Sequence, residues 1–175
     1  MKNINILFIL ILSCVTILQG QEKIINLNLS EIKWVGKEIT TKTHYGSLKF
    51  KKGNISIVND LITAGEFIVD MNSLKNEDLS GGSKDYLEKH LRSDDFFGVK
   101  QHPTATLKIT SVNKVEGEKH LVVGDLKIKG INNQVTFDIV LNNKGATAEL
   151  IFDRSKYGVK FRSSSFFDDL GDKLI

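Results

Sequence analysis

The sequence predicts an all-β protein, an antiparallel β-barrel of about eight strands with a short helical insertion at about 83–97. Three observations predict it. Apolar and polar residues alternate with a period of two between Ile24 and Phe161, which is typical of half-buried strands. Turn-forming residues recur between these segments at short intervals, which favours hairpins. Closing many antiparallel strands into a barrel removes their exposed edges.

The alternation defines the individual strands. It is clearest in segments 48–51, 66–71, 106–110, 125–129 and 134–141, and Ala148, Leu150 and Phe152 continue the series. Glycine- and asparagine-containing turns are predicted at 52–54, 116–118, 129–133 and 142–145. The sequence therefore predicts a meander in which consecutive strands are neighbours.

One segment breaks the period of two. Leu87 and Leu91 lie four residues apart, with Tyr86 and His90 beside them, as in a short amphipathic helix. Ser83 is the predicted N-cap. The segment 93–97 is predicted to start another helical turn.

Composition limits the class of protein. The chain has 175 residues, of which 41% are hydrophobic and 26% charged, as expected for one globular domain. The formal net charge is +3, and the densest basic cluster is Lys49, Lys51 and Lys52. This distribution indicates a solvated surface and not the basic stripe that nucleic-acid binding needs.

Residues 1–20 differ from the rest and resemble a secretory signal peptide. Lys2 precedes an almost wholly apolar run from Ile4 to Leu18, and Gly20 is a plausible cleavage position. The predicted mature domain is then 21–175, without cysteine, in the periplasm or outside the cell. Lipidation at Cys14 is the less favoured alternative, because apolar residues follow it.

Six short strings, in order along the predicted mature chain, carry a family resemblance. They are Trp34-Val35-Gly36, His44-Tyr45-Gly46-Ser47-Leu48, the strand 65–71, the segment 90–99 with 102–105, the strand and turn 124–130, and Asp153-Arg154 through Tyr157-Gly158. Together they resemble the YceI-like family of bacterial lipid- and polyisoprenoid-binding proteins.

The resemblance implies an elongated, lipocalin-like antiparallel barrel with a helical lid region, in an exported protein. It implies a long isoprenoid-type lipid as ligand, no cofactor, transient membrane contact and, as an allowed assembly, a homodimer. Lys127 departs from the family's usual threonine. The sequence stops at Ile175, before the family's usual last strand, so we expect a barrel with a seam or without its closing strand.

The lipid hypothesis requires inward apolar faces that leave a void. The predicted lipid-binding residues are Leu48, Phe50, Phe67, Val69, Phe96, Phe97, Leu107, Ile109, Leu126, Ile128, Val135, Phe137, Ile139, Leu150 and Phe152. His44 is a candidate head-group contact. The alternative is that these apolar residues form a filled core, as in a stress-response or interaction protein, and that Phe96 and Phe97 only fasten the helix to the barrel.

No catalytic or metal-binding motif is present in the sequence. There is no nucleophile elbow, phosphate-binding loop or zinc-binding His-Glu-x-x-His. His44, His90, His102 and His120 are scattered without metal spacing. We therefore predict a binding protein; the alternative is a lipid- or quinone-modifying enzyme that uses His44, His90 or the Asp153-Arg154 pair.

Overall fold

The computed structural model describes residues 21–37 and 43–159, with only the backbone of Lys37 and of 113–116. The predicted leader, Cys14 and the alternation near Phe161 lie outside the described residues. The chain forms these elements, in order: β1 Gln21–Ile24, β2 Ile32–Lys37, β3 Thr43–Val58, β4 Leu61–Asn76, α1 Gly81–Arg92, β5 Thr104–Glu116, β6 Lys119–Ile128, β7 Ile131–Asn142, β8 Gly145–Glu149 and a 3-10 helix Arg154–Tyr157.

All strand pairings are antiparallel and belong to one sheet. The order is β1-β3-β4-β5-β6-β7-β8, and β2 pairs with the other half of β3's free edge. No hydrogen-bonded pairing among the described residues joins the β1/β2 edge to β8. The described sheet is therefore a curled half-barrel, which confirms the predicted all-β class with about eight strands and one helical insertion.

The structure corrects one of the turn predictions. The segment 52–54 is not a turn: Gly53 lies inside the 16-residue strand β3. The turn comes later, at Asn59 and Asp60, whose φ angles of 48° and 62° suit a tight two-residue hairpin turn. Asparagine and aspartate tolerate this left-handed conformation better than most residues, whereas glycine in a strand marks a close approach or a bend.

The helix also differs from its prediction. It begins at Gly81, with Ser80 and not Ser83 as N-cap, and it ends before Ser93. The Ser93 hydroxyl and backbone N–H both donate to the carbonyl of His90, so the segment 93–97 is a turn and not a second helix. No helix in the two described ranges is long and apolar enough to cross a membrane.

Two clusters of buried apolar residues fill the two ends of the concave inner face. The helix-end cluster consists of Met71, Leu74, Leu91, Phe96, Val99, Ala105, Leu126, Ile128, Tyr157 and Val159. The turn-end cluster, near the β3–β4 turn, consists of Ile55, Ile62, Ile109, Val122, Phe137 and Ile139. Leu107, Val135 and Leu150 pack against both clusters and so join them.

Candidate functional site

The inner face of the half-barrel carries the predicted lipid-binding residues. Along β6 every second residue from His120 to Ile128 is buried, and along β7 Val135, Phe137 and Ile139 follow the same alternation. Thr136, between the inward Val135 and Phe137, is exposed on the outer face. The alternation that predicted the strands therefore also assigned their inner faces.

The predicted residues differ in how far they are covered. Phe96, Ile109, Leu126, Ile128, Phe137 and Ile139 are buried. Leu48, Phe50, Phe67, Val69, Phe97, Leu107, Val135, Leu150 and Phe152 remain half-buried although they pack against the clusters or, for Phe50, against Phe67. The inner face thus has a band of large apolar side chains that the protein itself does not fully cover.

Leu150 and Phe152 reach this band without belonging to a strand. β8 ends at Glu149 and all its residues are exposed, so the predicted continuation of the strand to Phe152 is wrong. Phe152 instead packs edge-on against Tyr157, with ring centroids 5.5 Å apart. These side chains turn inward because the chain crosses toward the helix-end cluster after β8.

Glycines alternate with large residues across the inner face. Strand pairing sets Ile55 beside Gly65, Gly65 beside Ile109, Ile109 beside Gly124 and Gly124 beside Val135. A Cβ atom on Gly65 would lie 2.9 Å from Cδ1 of Ile109. Alternation of small and large residues lets the inner faces of a tightly curved sheet fit together.

A shallow apolar cleft of about 330 Å³ opens at the turn end. Leu61, Ile62, Thr63 and Val112 line it. None of them was among the predicted lipid-binding residues. The signal that could have indicated them is the position of the β3–β4 turn, which the sequence analysis placed elsewhere.

His44 lies at the opposite end, on the same face of β3 as Leu48 and Phe50. Its Nδ1 is 2.7 Å from a carboxylate oxygen of Asp78, and 23% of its side chain is exposed. Trp34 lies on the adjacent β2 and donates from Nε1 to the carbonyl of Lys75. The structure thus places a polar pair at one end of the apolar inner face.

Asp78 is held in its ionised form by its surroundings. Burial raises the pKa of its carboxyl, but the hydrogen bonds from the Tyr45 backbone N–H, from His44 and from Asn76, together with the His44 charge, lower it by more. The pKa of Asp78 therefore lies below its ordinary value. The sequence motifs did not indicate Asp78, which lies 34 residues from His44 in the chain.

The same end is fastened to helix α1. Glu88 accepts from the backbone N–H of Asn76 at 2.9 Å and from Arg92 at 3.1 Å. Burial raises the pKa of Glu88, but these hydrogen bonds and the charges of Arg92 and Lys84 lower it below its ordinary value. Arg92 also donates to the carbonyl of Leu74, so the helix is tied to the end of β4.

The other candidate polar residues lie around one aromatic ring. The imidazole of His90 packs edge-on against Phe96 at 5.6 Å, and the guanidinium carbon of Arg154 lies 5.0 Å from the same ring centroid. Asp153 accepts from the backbone and the hydroxyl of Ser155 and so caps the 3-10 helix. The structure therefore brings His90 and Arg154 together, and it places His44 with Asp78 in a different network.

His120 is the polar residue of the inner face at the turn end. It is 1% exposed, and its Nδ1 and Nε2 each lie 3.1 Å from a backbone carbonyl oxygen, those of Glu118 and Asp60 respectively. In the sequence it is one of four scattered histidines without metal spacing. Its even spacing with Val122 and Leu126 on β6 was the signal that it faces inward. Among the described residues, no group of three or more histidine, cysteine or acidic side chains is arranged to hold a metal ion.

This fold and inner face define a class: lipocalin-like antiparallel β proteins with an apolar concave interior. The YceI-like domain model matches residues 24–174. The chain belongs to the YceI-like domain family, as the sequence motifs predicted.

Relatives and solved structures agree with this assignment. A UPF0312 protein of Photorhabdus laumondii is 36% identical over 90 residues, 49% of this chain and 46% of that protein. Protein YceI of Escherichia coli O157:H7 is 28% identical over 127 residues, 73% of this chain and 60% of that protein. The alignments with these curated relatives thus span about half to three fifths of the relatives' length.

Two solved structures share the fold. Burkholderia cenocepacia BcnA superimposes with a TM-score of 0.67 at 20% identity, covering 86% of this chain and 94% of that chain. The Campylobacter jejuni YCEI protein superimposes with a TM-score of 0.51 at 16% identity, covering 99% of this chain and 86% of that chain. At these identities the likeness concerns the fold alone.

Proposed function

We propose that this protein holds a long, apolar, isoprenoid-type lipid in the interior of the half-barrel, for transport, sequestration or storage. The observation that carries the proposal is the band of half-buried apolar residues along the two buried clusters, in which Leu107, Val135 and Leu150 pack against both. A filled core would bury such side chains, whereas an interior that accepts a guest leaves them partly uncovered. Membership of the YceI-like family supports the same class of ligand.

The hydrophobic effect supplies the affinity in this proposal. Each CH₂ group moved from water to an apolar interior contributes about 0.8 kcal/mol. Phe50 and Phe67, whose ring centroids are 6.1 Å apart, offer partly uncovered aromatic surface to such a chain. Ordering of the lipid opposes binding, so the net affinity is much less than the sum over its carbons.

The head group is proposed to lie at the helix end, near His44. This is the end where the inner face changes from apolar residues to the His44–Asp78 pair. A histidine whose Nδ1 is engaged by a carboxylate has a fixed ring orientation and offers its other nitrogen for a polar group. The apolar tail then lies along Leu107 and Val135 toward the turn-end cluster.

Export is part of the proposal. A leader at 1–20, cleaved after Gly20, would deliver the protein to the periplasm or the medium, and transient membrane contact would let it collect or release the lipid. The exposed side chains of Ile24, Leu27 and Leu29 are consistent with such contact. N-terminal sequencing of the secreted protein tests the cleavage position. We expect Gln21 as the first residue, and a protein that still begins at Met1 would contradict cleavage.

The central experiment identifies what the protein carries. The exported protein is purified and extracted with organic solvent, and the extract is analysed by mass spectrometry. We expect a stoichiometric isoprenoid-type lipid. In Val135→Trp, where added bulk fills the inner face, we expect at least a severalfold loss of lipid per protein.

The matched control is Thr136→Trp, which places the same bulk on the outer face of the same strand. It should retain lipid at the wild-type level. Equal retention in the two variants, or a wild-type extract without lipid, would contradict the proposal.

The His44–Asp78 pair favours a second function, modification of a lipid or quinone. A carboxylate at 2.7 Å from Nδ1 can orient an imidazole as a general base. Asp78 also accepts from Tyr45 and Asn76, which suits a structural role equally well. If the protein is an enzyme, His44→Ala abolishes turnover of the extracted lipid and keeps its binding; if it is a carrier, no turnover is found in either protein.

A further inference from the structure

At the turn end of the inner face, the imidazole of His120 forms a bar: it contacts the β3–β4 turn from a strand that is not a neighbour of that turn. His120 on β6 and Asp60 in the β3–β4 turn are 60 residues apart, and β5 separates β6 from β4, which begins directly after Asp60. Nε2 of His120 nevertheless lies 3.1 Å from the Asp60 carbonyl oxygen. The imidazole must therefore reach across the inside of the curled sheet.

The bar is firmly held. Nδ1 of His120 lies 3.1 Å from the Glu118 carbonyl, which also accepts from the backbone N–H of Leu141 at 2.9 Å. The ring is 1% exposed, and its partner across the strand pairing is Ile139 of the turn-end cluster, itself 3% exposed. In either neutral tautomer one ring N–H donates to one of the two carbonyls.

The bar lies at the turn end of the apolar inner face. His120 is the inward residue of β6 nearest the turn end, two residues before Val122 of the turn-end cluster. On β4, Ile62 at this end and Leu74 at the other are both buried inward residues. Because the pairing of β3 with β4 is irregular between them, their separation is at most roughly 40 Å, the value for a regular strand at about 3.3 Å per residue. The inner face is therefore long and apolar, with His44 at one end and, at the other, the His120–Asp60 contact beside the cleft that Leu61 and Val112 line.

We propose that His120 is a chain-length stop, a specificity-determining residue that sets the longest lipid tail the interior accepts. This rests on the proposed lipid-binding function. With the head group at His44, the tail ends against the imidazole and the Asp60 turn. A longer tail must either break this contact or leave its head group outside.

The test compares two substitutions that both lose the hydrogen-bonding ring nitrogens and differ in bulk. His120→Ala opens the end, whereas His120→Phe keeps it filled. Delipidated full-length proteins are incubated with a mixture of polyprenols, from farnesol upward in steps of one isoprene unit. The retained lengths are read by native mass spectrometry.

We expect wild type and His120→Phe to share one upper length limit. The alanine variant should retain the first polyprenol beyond that limit about tenfold better, equivalent to roughly 1.4 kcal/mol, because its last isoprene unit is then accommodated. If wild type has no upper limit, or if the alanine variant has the same limit as the other two, the stop is overturned while lipid binding stands.

One further variant and one further outcome distinguish a failed chain-length stop from a failure of lipid binding itself. If His120→Ala does not fold, Ile139→Phe adds bulk just inside the bar and should shorten the longest retained tail; an unchanged limit overturns the stop. A wild-type protein that retains no polyprenol of any length overturns the lipid-binding proposal itself, and the stop with it.

Discussion

Tyr157 places a polar atom in an apolar environment. Its side chain is 1% exposed within the helix-end cluster, and its hydroxyl makes no hydrogen bond that the structure describes. A buried polar group without a partner costs about 1–3 kcal/mol of stability. Burial raises the pKa of Tyr157 to about 12, because the phenolate is poorly solvated there.

Removing this hydroxyl should stabilise the protein. We expect Tyr157→Phe to raise the free energy of unfolding at neutral pH by about 1 kcal/mol, measured by urea denaturation. The folded pKa lies above the unfolded value of 10.0, so wild type loses stability as the pH rises through 10 toward about 12. The variant should lose less over that window.

Tyr86→Phe provides the control, because Tyr86 is 75% exposed on helix α1. It should leave the free energy of unfolding unchanged within error at neutral pH. A Tyr157→Phe protein that is less stable than wild type would show that the hydroxyl has a partner in solution.

For single residues, the sequence predicted which side chains face inward better than it predicted which side chains contact each other. The inward position of Val135 or Phe137 follows from a period of two, which is a local property. The pairing of His44 with Asp78 depends on the curl of the sheet and the path of the β4–α1 connection. Those are long-range geometries that a linear pattern does not contain.

Among the secondary-structure elements, helix α1 is docked on the end of β4 through one carboxylate, that of Glu88. Glu88 receives hydrogen bonds from the Asn76 backbone and from Arg92, which in turn contacts the end of β4. The helix itself is short, at 12 residues, and begins with two glycines, so its intrinsic propensity is low. Its position is therefore set by docking and not by its own sequence.

Glu88→Gln should loosen this docking. We expect a loss of about 1–3 kcal/mol in the free energy of unfolding at neutral pH, because a charged acceptor of two hydrogen bonds becomes a neutral amide. The pKa of Glu88 is lowered in the folded state, so its contribution is present above 4.5 and is lost as the pH falls through the folded value. The variant's acid denaturation should accordingly be less steep.

Asp85→Asn is the matched control, since Asp85 is an exposed acid on the same helix. We expect it to change neither the stability at neutral pH nor the acid profile measurably. If Asp85→Asn behaved like Glu88→Gln, the effect would come from the net charge of the helix and not from the hydrogen bonds of Glu88 with Asn76 and Arg92.

The bounds of α1 show why the sequence placed it imperfectly. The apolar spacing of Leu87 and Leu91 located its centre correctly. Ser83 was predicted as the N-cap because serine is a preferred residue there, and Gly81 and Gly82 before it are residues that are unfavourable in helix interiors. In the structure they occupy the first turn, where less of the helical hydrogen bonding depends on them.

For the whole molecule, the alternation of glycine with large residues determines how the sheet packs. A Cβ on Gly65 would come within 2.9 Å of Ile109 Cδ1. We expect Gly65→Ala to lower the free energy of unfolding by about 1–3 kcal/mol through overpacking. Ile109→Val, which removes the clashing methyl, should restore part of this loss in the double variant.

A double-mutant cycle measures the coupling by chemical denaturation of all four proteins. Ala64→Val, a larger side chain on the exposed neighbour of Gly65, serves as the control and should be nearly neutral. Strict additivity of Gly65→Ala and Ile109→Val would show that the neighbouring strands move apart instead of sharing the space.

The family and the fold class were predictable because each rests on many weak signals in order along the chain. Six short motifs and a sustained period of two agree with one another from Trp34 to Tyr157. The true position of the β3–β4 turn was not predictable from glycine content, because Gly53 serves close packing against Phe67 and Ile25. The turn at Asn59 and Asp60 carries a weaker local signal.

The glycine alternation also bears on how the chain finds its pairing during folding. Sliding one strand by two residues would keep every apolar side chain on the inner face, so hydrophobicity alone does not reject that error. Such a slip of β4 against β5 would set Phe67 opposite Ile109, where Gly65 now stands. Two large side chains would then clash at one position, and a gap would be left at the next. The positions of the glycines thus select one register of the strands.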